Sequence, residues 1–182
     1  MPGPPPLIRN LNQEHLYHLA ADISSYQRTP WTPNPWFMDV PTLILPGHHE
    51  VSVIASMRAV SLAFLAIKCQ SQGLEKSARS FYATGLRLHS EAVSRISDNK
   101  HGSLEPKWHS ALLVTSMLLF EFEMMFPSSP YSWMLHAQGA AHILEKIGPQ
   151  SCQEMRLHKI FLVLRHIVVR SELLGSRSLL TI

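Results

Sequence analysis

An all-α fold is predicted for this chain on three observations. Apolar residues return every three or four positions through five long stretches after residue 50, the spacing that lines one face of a helix. No stretch alternates with period two for long enough to make a strand. Clusters of Gly, Pro, Ser and Asn fall between the stretches, where helices stop and restart. The expected architecture is a helical array of five to six helices with a proline- and aromatic-rich loop near the N-terminus.

Composition permits such a core. Of the 182 residues 46% are hydrophobic and only 16% charged, which argues against global disorder. The net charge is +3, yet the sixteen Lys and Arg are scattered, whereas a nucleic-acid surface concentrates them on one face. The basicity is read as a solvated surface. The two cysteines, Cys69 and Cys152, are too few for a disulfide framework and are expected to be buried free thiols. The most apolar runs, 111–120 and 160–169, are too short to span a bilayer and read as core helices, so no membrane partner is expected.

Residues 1–10 form a Pro-rich lead, and 11–182 read as a single helical domain. A short helix over about 11–24 follows, with Asn10 as its N-cap and Leu11, His15, Leu16 and Leu19 as its stripe. Prolines at 30, 33, 35, 41 and 46 then exclude helix and central strand. Trp31, Trp36 and Phe37 among them suggest that this loop packs on something apolar; a ligand for a proline-binding module is the sharper alternative.

The next helix points Val51, Ile54, Ala55, Leu62, Leu65, Ala66 and Cys69 inward and stops near Gly73. A second carries Leu74, Ala78, Phe81, Tyr82, Gly85, Leu88, His89, Ala92, Val93 and Ile96 on one stripe and ends over 98–102. The third runs from about Pro106 to Phe126, and its nearly continuous apolar stretch makes it central. Pro127-Ser128-Ser129-Pro130 closes it and opens the fourth, with Ser129 as N-cap and Pro130 in the first helical position. That helix buries Trp133, His136 or Ala137, Ala140, Leu144 and Ile147, and Gly148-Pro149 ends it. Ser151-Cys152-Gln153-Glu154 is a capping box for a fifth helix through Met155, Ile160, Phe161, Val163, Leu164, Ile167 and Val168.

Two stretches of this pattern resemble the regulatory domain of fungal zinc-cluster transcription factors. One is the Ala-rich helix 55–66 followed by Tyr82, Gly85 and Leu86 in the next helix. The other is 113–123 followed by Trp133-x-x-His136-x-x-Gly139-Ala140, Leu144 and Gly148-Pro149, then Leu157, Phe161 and Arg165. The resemblance is clearest over 45–182. It implies a nuclear regulatory module that acts through protein partners or a small-molecule effector. The six-cysteine zinc cluster with which that family reads DNA has no counterpart in this sequence, and the family's region is usually longer. The chain is therefore expected not to bind DNA directly, and to be an incomplete domain.

The chemistry-bearing residues support no catalytic assignment. No Gly-x-Ser-x-Gly elbow or phosphate-binding glycine loop occurs. Among the eleven histidines, His15/His18 share a face without a third ligand, His48-His49 open a helix, and His136/His142 lie about 240° apart around one. No metal or cofactor is expected. Glu121 and Glu123 point about 200° apart; Glu121 is the carboxylate expected to accept a buried bond from Trp108, Trp133 or Arg165. His136 is expected to donate to a backbone carbonyl beside Trp133. Gly139, costly inside a helix, is expected where another helix crosses. The fifth helix is apolar nearly all round and is expected to self-associate or bind a partner. The rival readings are a small helical enzyme or ligand carrier with a pocket between the third, fourth and fifth helices, and a nonfunctional fragment.

Overall fold

A computed structural model describes residues 51–98, 106–150 and 155–178. They form five helices and, among the described residues, no strand: α1 Val51–Cys69, α2 Gln72–Asp98, α3 Pro106–Met125, α4 Ser132–Ile147 and α5 Met155–Ser178. The expected helix at 11–24, the proline-rich loop, Cys152 and the capping box at 151–154 lie outside the described residues. α1 and α2 form a tight helical hairpin, α3 packs on both, α4 packs on α3, and α5 packs on α4.

α1 is buried over most of its surface rather than along one stripe. Val53, Ala55, Ser56, Met57, Ala59, Val60, Leu62 and Ala63 are all enclosed. Its length and mean hydropathy of 1.7 alone would let it cross a membrane, but 61% of that stretch is buried within the fold. Small side chains bring the hairpin close. A Cβ on Gly85 of α2 would strike the Ser56 hydroxyl and lie 3.2 Å from the Ser56 backbone nitrogen. The inward stripe turns further than its spacing predicts: Val51 is exposed, and so is Cys69, which is no buried thiol. Both sit at ends of α1, where α2 and α3 no longer cover it.

The hairpin turns at Gln70, not Gly73. Gln70 takes a positive φ of 48°, its N–H reaches the Ile67 carbonyl at 3.4 Å, and the Ser71 N–H reaches Ala66 at 3.0 Å. These two bonds make a Schellman stop. Ser71 then caps α2 by accepting the Leu74 N–H at 3.4 Å, which leaves Gly73 inside the first turn of α2.

α3 is the central helix, as its composition predicts. Every residue from Ala111 to Phe120 is buried, and so are Phe122 and Glu123. Thr115 returns its hydroxyl to the Ala111 carbonyl at 2.8 Å and meets Ser52 of α1 at 3.3 Å. α4 begins two residues later than expected. Its N-cap is Tyr131, with no side-chain bond, and Ser129 serves the turn through its backbone instead. Ala137, Ala140 and Leu144 face the core; on α5, Leu157, Ile160 and Leu164 do, at i, i+3 and i+7.

Candidate functional site

The fully buried carboxylate of α3 is Glu123. It is 1% exposed, whereas Glu121 is half-buried; the two acids leave α3 on opposite sides, and the Phe122–Glu123 side faces α2 and the α3–α4 turn. A buried carboxylate needs donors, and the turn provides them. Ser128 gives its N–H at 2.7 Å and its hydroxyl at 2.8 Å, and the Ser132 hydroxyl makes a short bond to the same group. The Tyr82 phenol of α2 also favours the ionised carboxylate. Burial alone would push the Glu123 pKa up, but the serine bonds and the phenol together outweigh it and hold the group below its ordinary value.

Tyr82 extends the network. Its ring stacks on Phe122, centroids 4.3 Å apart, and its oxygen lies 3.0 Å from Nε2 of His136 on α4. The partner of His136 is thus a phenol rather than the expected backbone carbonyl. Burial, reinforced by Glu123, pushes the Tyr82 pKa above its usual value; burial pushes His136 down, partly offset by Glu123. Two turns further along α2, His89 Nε2 meets the Ser116 hydroxyl of α3 at 2.9 Å. Burial, with His136 nearby, brings the His89 pKa down to about 4.

A Ser–His pair and a His–Tyr–Glu chain are the ingredients of proton-transfer chemistry, but here they form the interior contacts of α2, α3 and α4. An open groove lies elsewhere, between α4 and α5, with a volume of about 390 Å³. Ala141, Leu144, Phe161, Leu164, Val168 and Val169 line it, and Glu145 and Arg165 bring charge to it. No member of the Glu123 network lines the groove. Among the described residues no group of three or more His, Cys, Asp or Glu gathers to hold a metal ion.

A family model described as the fungal specific transcription factor domain matches residues 11–175. The chain belongs to this family. No curated protein and no solved structure matches it. The match begins well before residue 45, where the recognisable motifs start, and it spans the proline-rich stretch at 30–46.

In this fungal transcription factor domain the residues singled out by sequence are scattered in role. Trp133 is half-buried and meets Phe120 edge-on at 6.2 Å; His136 joins the network; Arg165 is exposed beside the groove. The structure does not gather these residues and Glu121 into one site. Gly139 is exposed, and a Cβ there would meet nothing within 4 Å, so among the described residues no helix crosses it. The glycine of close approach is Gly85. Sequence reasoning missed the Glu123–Tyr82–Ser132 assembly because its members lie on three elements. The one local signal was two serines, five and nine residues after an acid at a helix end.

Proposed function

We propose that this domain controls transcription in the nucleus as a non-catalytic module, by engaging a protein partner through the apolar face of α4 and α5. The observation that carries the reading is the family match across 11–175, which makes the domain a regulatory, transcription-factor-like one. Two features of the chain support the finer parts. The Glu123 network and the His89–Ser116 pair hold helices together, away from the open groove. Leu162 and Val169 of α5 are 49% and 52% exposed, and Val169 lines the groove, which is apolar surface of the kind that marks contact sites. The groove volume also suits a small apolar effector, since such sites commonly span roughly 300–1,000 Å³.

Fusing the chain to a heterologous DNA-binding module in a fungal reporter strain tests the reading. Reporter output should change, up or down, and Val169→Glu should abolish the change while leaving expression and helicity intact. A fusion that leaves the reporter untouched would overturn it. The unfused chain, with two cysteines and dispersed basic residues, should bind DNA only weakly and in a salt-sensitive way. Tight, sequence-selective binding in an anisotropy titration would contradict that expectation.

A further inference from the structure

The turn between α3 and α4 presents two adjacent serines in different states. Ser128 is committed to Glu123 through both its N–H and its hydroxyl. Ser129 uses only its backbone: its N–H donates to the Ser132 hydroxyl at 3.3 Å and its carbonyl accepts from the Ser132 N–H at 3.4 Å. Its own hydroxyl takes part in none of these bonds, and the residue is exposed. Pro130 follows it. A proline biases the residue before it towards extended backbone, the conformation in which a kinase cleft reads a peptide.

We propose that Ser129 is an acceptor for a proline-directed protein kinase, and that its phosphorylation loosens the Glu123 latch joining α3 to α4. The Ser129 oxygen would attack the γ-phosphorus of ATP held by the kinase. The new O–P bond replaces the bridging bond to the β-phosphate, ADP leaves, and the hydroxyl proton passes to the kinase base. The product carries a near-dianion on a residue whose N–H is linked to the Glu123 carboxylate by two hydrogen bonds in series through the Ser132 hydroxyl.

The sign of the effect follows from what already occupies this corner. A phosphate at a helix start can be stabilising where free N–H groups await it. Here two of the first three helical N–H groups are already engaged, that of Ser132 with Ser129 and that of Met134 with Tyr131. The resident anion is Glu123, kept ionised by Ser128, Ser132 and Tyr82. A second anion therefore meets a like charge and competes for the Ser132 hydroxyl. Loosening this turn also frees α4 at the end that carries His136, and so weakens its bond to Tyr82. The inference concerns the turn alone and does not rest on the α4–α5 groove.

The full chain should be treated with ATP and a proline-directed kinase and mapped by mass spectrometry. One phosphoryl group is expected on Ser129, and none there in Ser129→Ala. The phosphorylated protein should lose roughly 3 °C or more in Tm, and the Ser128 amide should exchange faster with deuterium. In Glu123→Gln the phosphate should lower Tm markedly less. Should that variant fail to fold, the Ser128 amide exchange in the wild type decides. Phosphate confined to other residues overturns the proposal. So do modification of Ser129 with unchanged Tm and exchange, and equal losses in wild type and Glu123→Gln.

Discussion

A histidine whose ring is enclosed resists protonation, and the consequence is a stability that depends on pH. His89 is held at about 4 in the fold against an ordinary 6.5, chiefly by burial and secondarily by His136. Between those values the unfolded chain binds a proton that the folded chain refuses, so stability is complete above pH 6.5 and declines as pH falls towards 4. The loss attributable to His89 is about 3 kcal/mol over that window. His136, also depressed, acts with the same sign. Glu123, held below its ordinary 4.5, contributes stability above that value and loses it as pH falls further through its folded pKa. Urea unfolding from pH 7.5 to 4 should therefore give a falling ΔG, and His89→Gln, which can still bond Ser116, should flatten the upper part. An unchanged profile in the variant would show that the proton is taken up elsewhere.

Two glycines make a second test at single positions. Both cost helix propensity, about 1 kcal/mol against alanine. At Gly139 nothing offsets that cost, so Gly139→Ala should stabilise by up to about 1 kcal/mol. At Gly85 a methyl group meets the backbone of Ser56, which cannot move without parting the hairpin, so Gly85→Ala should destabilise by roughly 1–3 kcal/mol. Thermal melts of the two variants should shift in opposite directions. A shift in the same direction would contradict the packing of α1 on α2.

At the scale of elements, the sequence was legible wherever one helix carried its own pattern. The apolar run 111–120 announced a central α3, and Gly148, with φ of 82°, ends α4 where it was expected. Legibility failed where two elements decide together. Nothing local says which of Glu121 and Glu123 turns inward, because α2 and the serine-containing turn decide it. Gly139 resembled a crossing point because propensity disfavours it, but a crossing needs a partner helix that its own sequence does not show. The α1 stop was misplaced for a different reason: a left-handed cap usually takes glycine, and here Gln70 holds it three residues before Gly73. A side chain in that conformation is strained by about 1 kcal/mol or more. Gln70→Gly should thus stabilise the domain by up to about 1 kcal/mol in chemical unfolding, while Gly73→Ala, whose Cβ meets only a serine oxygen at 3.9 Å, should be neutral or better. A destabilising Gln70→Gly would mean that the side chain earns its place by a contact in the turn.

The molecule as a whole is a chain of dependencies more than a single ball. α1, α2 and α3 share one enclosed core, α4 is fixed to it by Ala137, Ala140 and the Glu123 network, and α5 rests chiefly on α4. Only Leu157, Ile160 and Leu164 of the described α5 residues are fully buried, while Leu162 faces outward and Phe161, Val168 and Val169 line the groove. Local stability follows buried apolar contact, so α5 should open at a lower free energy than the core. Leu164→Ala removes one of the three anchors, and truncating a buried leucine costs about 2–5 kcal/mol. Among the described residues that loss falls on an element held chiefly by α4. Hydrogen exchange should therefore show α5 losing protection in Leu164→Ala, while the α3 amides around Leu118 keep theirs. A partner seated in the groove would bury Phe161 and Val168 and restore α5 protection, linking occupancy to order in the last helix. If α5 and α3 instead lose protection together by the same amount, the array unfolds as one unit and α5 is no separable element.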